Sequence, residues 1–220
     1  MIKCFIFDLD GTLVDSVPDL TLSVNYALRI NGFKERTEEQ ILSYIGNGSN
    51  VLIRKAIGCD IDDVLFKKVF DDYMSYYLAH VCVNSKLYDG ISEVINYLRK
   101  NNILVCCLTN KPEDAAVELL NKLLPSKFDC IVGNSKNVPP KPDPFGLKLI
   151  MNKFNLKPDN ICYLGDSDVD MILARNAGIV NKIACNYGYR SRAELEKERP
   201  LYLINSPREI FDLKSLFSAK

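Results

Sequence analysis

The chain has 220 residues, enough for one domain or two small ones, and a hydrophobic content of 47% argues against disorder. Its 28 basic and 28 acidic side chains balance, so no global field draws it to nucleic acid or to an anionic membrane. No apolar stretch approaches the length of a membrane span, and the amino terminus lacks the succession of charged, apolar and small residues that marks a signal peptide. Eight cysteines are scattered without a CxxC pair. They read as buried free thiols of a reducing compartment, which places the protein in the cytoplasm. The one histidine, His80, sits at a predicted helix end and reads as a surface or capping residue. There is no GxSxG elbow and no GxxxxGK[ST] loop.

The first predicted element is a strand. Cys4, Phe5, Ile6 and Phe7 form an apolar run of the kind buried on both faces of a sheet. It ends in Asp8 and Asp10, then Gly11, which gives the backbone freedom to leave sharply. A parallel strand that stops this way presents its carboxylates at the edge where α/β proteins bind ligands. Continued strand geometry aims Asp8 and Asp10 in similar directions, and two anions so close repel. A shared proton or a metal ion such as Mg2+ resolves the conflict. A solvated acidic loop is the plain alternative.

Residues 17–30 carry apolar side chains at helical spacing and close at Asn31-Gly32. Thr37 to Gln40 has the form of a capping box that opens a short helix to Tyr44. Residues 45–49 are a turn, 50–57 a helix, and 61–78 an amphipathic helix rich in aromatic residues. No strand is expected between 17 and 81. From 89 onward, strands and helices alternate. Helices are expected at 89–100, 114–123, 145–154 and 169–177, with strands at 103–108, 130–132, 161–164 and 182–185. A last strand at 201–204 and a closing helix at 207–216 complete the chain. This order predicts an α/β fold: a doubly wound, Rossmann-like parallel sheet core (residues 1–15 and 85–220) with an inserted all-helical cap domain (16–84).

Four polar clusters fall at predicted strand ends or in sheet-edge loops: Asp8/Asp10, Thr109/Asn110, Lys141 and Asp166/Asp170. A parallel sheet gathers such ends into one site. Together they suit phosphoryl transfer, with a carboxylate nucleophile, a second carboxylate for proton transfer, groups to hold phosphate oxygens, and carboxylates for a divalent metal. Each also has a plainer reading. Thr109 and Asn110 can cap the next helix, Lys141 can be a solvated loop lysine, and Asp166 can be an N-cap with Asp168 and Asp170 favouring the helix's positive end.

The segment Asp8-Leu9-Asp10-Gly11-Thr12 resembles the first motif of the haloacid dehalogenase superfamily in its phosphatase form, and the later clusters resemble its other three motifs in order. The segments around Gly46-Asn47-Gly48, Lys141-Pro142, residues 174–178 and Gly188-Tyr189-Arg190 are similar to phosphoglycolate phosphatases. The resemblance implies a Mg2+-dependent phosphatase for a small phosphorylated metabolite, with 2-phosphoglycolate as the leading candidate. Asp8 is then the nucleophile and Asp10 the acid and base. Asp8, the backbone carbonyl of Asp10 and Asp166 ligate the metal, with Asp170 in its outer shell. Thr109, Asn110 and Lys141 hold the phosphoryl group. A β-phosphoglucomutase-like or pyrophosphatase activity is the alternative within enzymes, and a non-catalytic phosphoacceptor module is the alternative outside them. The turn at Gly48 opens a helix whose free N–H groups suit an anion, and Arg54 is expected to add positive charge there. That turn is otherwise a simple interhelical connection. A monomer or homodimer is expected, without nucleic acid or membrane partners.

Overall fold

The computed structural model describes residues 1–213 and Leu216. The chain runs β1 (Cys4–Phe7), β2 (Val14–Asp15), α1 (Val17–Ile30), α2 (Glu38–Tyr44), α3 (Ser49–Ile57) and α4 (Asp63–Ala79). It continues with β3 (Lys86–Leu87), α5 (Ile91–Lys100), β4 (Leu104–Pro112), α6 (Glu113–Leu123), β5 (Cys130–Asn134) and α7 (Phe145–Lys153). It ends with β6 (Ile161–Gly165), α8 (Asp168–Asn176), β7 (Lys182–Cys185), α9 (Arg192–Lys197) and β8 (Tyr202–Ile204). Six strands form one sheet in the order β5-β4-β1-β6-β7-β8, with every pairing parallel.

β1 lies inside that sheet because nothing on it needs water: all four residues are fully buried. Alternation divides them between two cores. Phe5 and Phe7 join the core that includes the inward faces of α5 and α6, among them Val94, Leu98, Ala116 and Leu120. Cys4 and Ile6 join the opposite core, with Leu147 and Ile150 of α7 and Leu173 of α8. Helices on both faces make the α/β expectation correct. All eight cysteines are free. No helix among the described residues is long and apolar enough to cross a membrane.

The four helices α1 to α4 form the expected helical block between β1 and the rest of the sheet. The capping box at Thr37 and Gln40 is present, with reciprocal hydrogen bonds of 3.2 and 3.0 Å. In α4 the buried residues Phe66, Val69, Tyr73 and Tyr77 recur at helical spacing, which turns the two tyrosines toward the sheet edge. His80 ends that helix, stacked on Tyr76 with ring centroids 3.9 Å apart.

The structure departs from the sequence expectations at four places. β2 and β3, unpredicted because each has two residues, pair antiparallel through Val14 with Leu87 and Asp15 with Lys86. β4 continues to Pro112 instead of ending at Leu108, and between those residues it carries two more positions than its partner β5. α5 begins after Asp89, whose carboxylate is taken by Arg208 at 2.6 and 2.9 Å. The expected closing helix is a 3₁₀ turn over Pro207–Asp212, and beyond 213 only its Leu216 falls among the described residues.

One buried side chain ties both connections of the block. Asp19, in the first turn of α1, accepts from the backbone N–H groups of Val83, Asn84 and Ser85 and from the Ser85 hydroxyl at 2.6 Å. Burial opposes its ionisation, but the hydrogen bonds from Ser85 and Asn84 outweigh it and hold the carboxyl below its ordinary range. Asp19→Ala leaves those donors without an acceptor and is expected to cost about 3 kcal/mol of folding stability. The measurement is the urea midpoint at unchanged m-value. A loss below about 1 kcal/mol would show that other contacts hold the connection.

Candidate active site

The carboxyl edge of the sheet gathers four acidic side chains from two neighbouring strands. Asp8 follows β1 directly, and Asp10 lies two residues on, in the loop that Gly11 turns. Gly11 has φ of +85°, and a Cβ there would stand 2.2 Å from Asp166 Oδ2. Glycine is therefore required for the loop to lie against Asp166. Asp166 follows β6, and Asp170 lies in the first turn of α8.

The two carboxylates after β1 are resolved from each other by two lysines. Lys141 Nζ sits 2.8 Å from Asp8 Oδ1 and 2.7 Å from Asp170 Oδ1. Lys111 Nζ sits 2.6 Å from Asp10 Oδ1. The Ser16 hydroxyl donates to that same Oδ1 at 2.5 Å, although Ser16 stands at the N-cap of α1, where a serine would ordinarily cap the helix. Asp170 is completely enclosed and accepts from Tyr163 Oη at 3.0 Å and Ser167 Oγ at 2.5 Å. Asp166 accepts from Thr12 Oγ1 at 3.2 Å and from the Tyr189 N–H at 2.7 Å.

Carboxylate oxygens of Asp8, Asp166 and Asp170 lie within 4.8 Å of one another. Burial pushes the Asp8 carboxyl up to about 7, with Asp170 adding to the rise and Lys141 opposing it. Burial also drives Asp166 well above the usual carboxylate range, helped by Asp8 and Asp170. Burial pulls Lys141 down, but Asp170 and Asp8 outweigh it and hold the ammonium charged above the ordinary lysine range. Three carboxylates against one lysine leave two negative charges, which one divalent cation would neutralise. An all-oxygen donor set suits Mg2+.

Above this floor the helical block closes a cavity of about 50 Å³. Its core wall is Asp8, Asp10, Thr109, Asn110, Lys111 and Lys141. Its upper wall includes Gly48, Ser49, Leu52, Tyr73 and Tyr77. Two side chains of the core hold the turn at 45–48 down. Asn110 Nδ2 donates to the Gly46 carbonyl at 2.9 Å, and Arg190 donates to the Ile45 carbonyl at 2.6 Å.

Of the residues singled out in the sequence, Asp8, Asp10, Thr109, Asn110, Lys141 and Gly48 meet at this cavity, with Asp166 and Asp170 beside Asp8. The plainer readings of Lys141, of Thr109 and Asn110, and of Asp166 as N-cap fall away, whereas Asp168 and Asp170 do stand in the first turn of α8. Lys141 is buried, α6 has no side-chain cap, and the N-cap of α8 is Ser167, in a capping box with Asp170. Three expectations change. The Asp10 carboxylate stands outside the acidic cluster, held by Lys111 and Ser16. The Asn110 amide is spent on positioning, since its Oδ1 accepts from the Lys141 N–H at 2.7 Å and its Nδ2 serves two carbonyls. Arg54 does not line the cavity. It is exposed, stacks 3.8 Å from the Phe66 ring centroid and pairs with Asp63 at 3.7 Å. Sequence reading missed Lys111, whose only signal was a lysine at the end of a buried strand. It also missed Ser16, Ser49, Tyr73 and Tyr77.

A family model described as haloacid dehalogenase-like hydrolase matches residues 5–183. The phosphoglycolate phosphatase 1 of Pseudomonas aeruginosa is 32% identical over 213 residues, covering 94% of this chain and 78% of that protein. The phosphoglycolate phosphatase of Vibrio parahaemolyticus is 32% identical over 225 residues, covering 96% of each. A crystal structure described as that of a predicted phosphoglycolate phosphatase from Haemophilus somnus superposes with a TM-score of 0.90 at 28% identity, over 97% of this chain and 98% of that one.

The raised Asp8 carboxyl has a consequence for the metal-free protein. A group that holds its proton to about pH 7 when folded, against the ordinary 3.8 of an exposed carboxyl in the unfolded chain, lowers stability as pH rises through that window. Asp8→Asn removes the effect. In EDTA the variant is expected to melt at a higher temperature than wild type at pH 8, while the two converge near pH 4. Parallel melting curves across that range would show that Asp8 does not carry the burial cost.

Proposed function

The chain belongs to the haloacid dehalogenase-like hydrolases, and we propose that it hydrolyses a small phosphate monoester, 2-phosphoglycolate being the best candidate. The observation that carries this reading is the division between Asp8 and Asp10. They share one cavity but are held by different lysines. One is positioned to attack while the other handles protons.

Asp8, Asp166 and the carbonyl of Asp10 would hold Mg2+, with Asp170 behind them. The bound cation would shield the attacking carboxylate from the phosphate's charge and polarise the phosphoryl oxygens. Lys141 fixes the orientation of Asp8 through Oδ1. A carboxylate oxygen of Asp8 attacks phosphorus, the ester P–O bond breaks, and an aspartyl-phosphate forms. The leaving oxygen takes a proton from Asp10. Lys111 and Ser16 both engage Oδ1 of Asp10, which leaves Oδ2 to carry that proton. In the second step Asp10 takes a proton from water, which attacks phosphorus, releases inorganic phosphate and restores the Asp8 carboxylate. Thr109 and Lys141 supply donors for the phosphoryl oxygens.

Residues 16–84 act as a cap over a core of residues 1–15 and 85–220. Two connections permit it to open for substrate and close to exclude water. A phosphoacceptor module would not account for Asp10 or the cap.

The test is a panel of phosphate monoesters with kcat/KM for each. The expected result is highest efficiency on 2-phosphoglycolate, loss of activity in EDTA and its return with Mg2+, and poor support from Ca2+. Asp8→Asn should reduce turnover by at least about 10⁴-fold in a folded protein. Near-normal turnover in that variant would overturn the reading.

A further inference from the structure

We infer that Lys111, the Tyr73 hydroxyl and Ser49 form the subsite for a second anionic group on the substrate, a carboxylate carried on a short carbon tail. This rests on the phosphatase reading above and extends it to the far end of the substrate.

The cations lining the cavity are Lys141 and Lys111. Lys141 is bound to two carboxylates and is assigned above to the phosphoryl group. Lys111 is bound to one, and its ammonium has three N–H donors. Its side chain is almost fully enclosed, 2% exposed, and stands 5.1 Å from the Tyr77 ring centroid. A desolvated ammonium with unused donors is a strong receptor for a carboxylate, because its pairing is not weakened by water. Its place at the cavity follows from β4, where the two extra positions between Leu108 and Pro112 disturb the regular pairing.

Tyr73 supplies an independent sign. It is completely buried and lines the cavity, and its hydroxyl makes no well-formed hydrogen bond, with the Ser49 side chain nearby as a marginal partner. A buried hydroxyl left unpaired is costly, and a carboxylate oxygen would satisfy it. Ser49 is the first residue of α3, a nine-residue helix whose N-cap, Gly48, offers no side-chain cap. The N–H groups of that first turn favour an anion at the same place. Arg54, five positions further along the helix, points its charge elsewhere, at Phe66 and Asp63.

The experiment compares kcat/KM for 2-phosphoglycolate with that for 2-hydroxyethyl phosphate, a neutral-tailed ester of similar size. Wild type is expected to prefer the carboxylate. Lys111→Met should lower that preference by about 10- to 100-fold, whatever it does to turnover through Asp10, and Lys111→Arg should restore part of it. Tyr73→Phe should lower it several-fold, and this variant decides the matter if Lys111→Met does not fold. Equal losses on both esters in Lys111→Met would mean that Lys111 serves Asp10 alone, and an unchanged preference in Tyr73→Phe would remove the hydroxyl; either overturns the inference. A wild-type protein indifferent to the carboxylate would overturn the proposed substrate itself, and would do so before any variant is made.

Discussion

The ammonium of Lys141 lies between Asp8 and Asp170 in a space almost sealed from water, and the rest of the site depends on that contact. Leaving a buried charge without its partner costs about 3–5 kcal/mol, so the structure around this lysine is committed to holding it. Asn110 fixes its backbone from the end of β4. Tyr163 of β6 and Ser167 at the head of α8 hold Asp170 from the other side. Three neighbouring strands are thereby keyed to one cation, and Asp8 takes its orientation from it. The same enclosure leaves the acidic cluster two charges short of neutrality, which explains why a divalent cation suits it.

The helical block adds a second layer of constraint. It enters and leaves through the short β2–β3 ribbon, and Asp19 ties the returning chain to the first turn of α1. At the 45–48 turn the block is held to the core by side-chain hydrogen bonds from Asn110 and Arg190 to backbone carbonyls. On the proposed reading, this arrangement would let the block open without losing its place. Asn110 serves both layers, since the same amide positions Lys141 and touches the block. On the proposed reading, closure of the cap would be linked through Asn110 to the placement of Lys141.

Much of this was legible in the sequence because it is local. An apolar tetrapeptide ending in two aspartates forces a buried strand with charged exits, and the alternation of strands and helices forces the parallel sheet that gathers those exits. Lys111 was not legible, because its role depends on a bulge in β4 that only pairing with β5 reveals. Tyr73 and Tyr77 were visible as part of an apolar stripe, but the stripe does not say which neighbour it faces. Arg54 is different, since helical spacing already carried the answer. It lies two residues from Leu52, about 200° around the helix, and so on the face away from the cavity. The two-residue strands β2 and β3 are too short for any periodicity to mark them.

The nucleophilic role of Asp8 is the central claim, and chemical trapping tests it most directly. The protein would be mixed with 2-phosphoglycolate and Mg2+, quenched in acid during turnover, and treated with borohydride, which reduces an acyl phosphate to an alcohol. Peptide mass spectrometry should then find homoserine in place of aspartate at position 8 and nowhere else, dependent on substrate. Reduction at Asp10 or Asp166 instead, or an unmodified Asp8 under conditions where turnover is established, would contradict it.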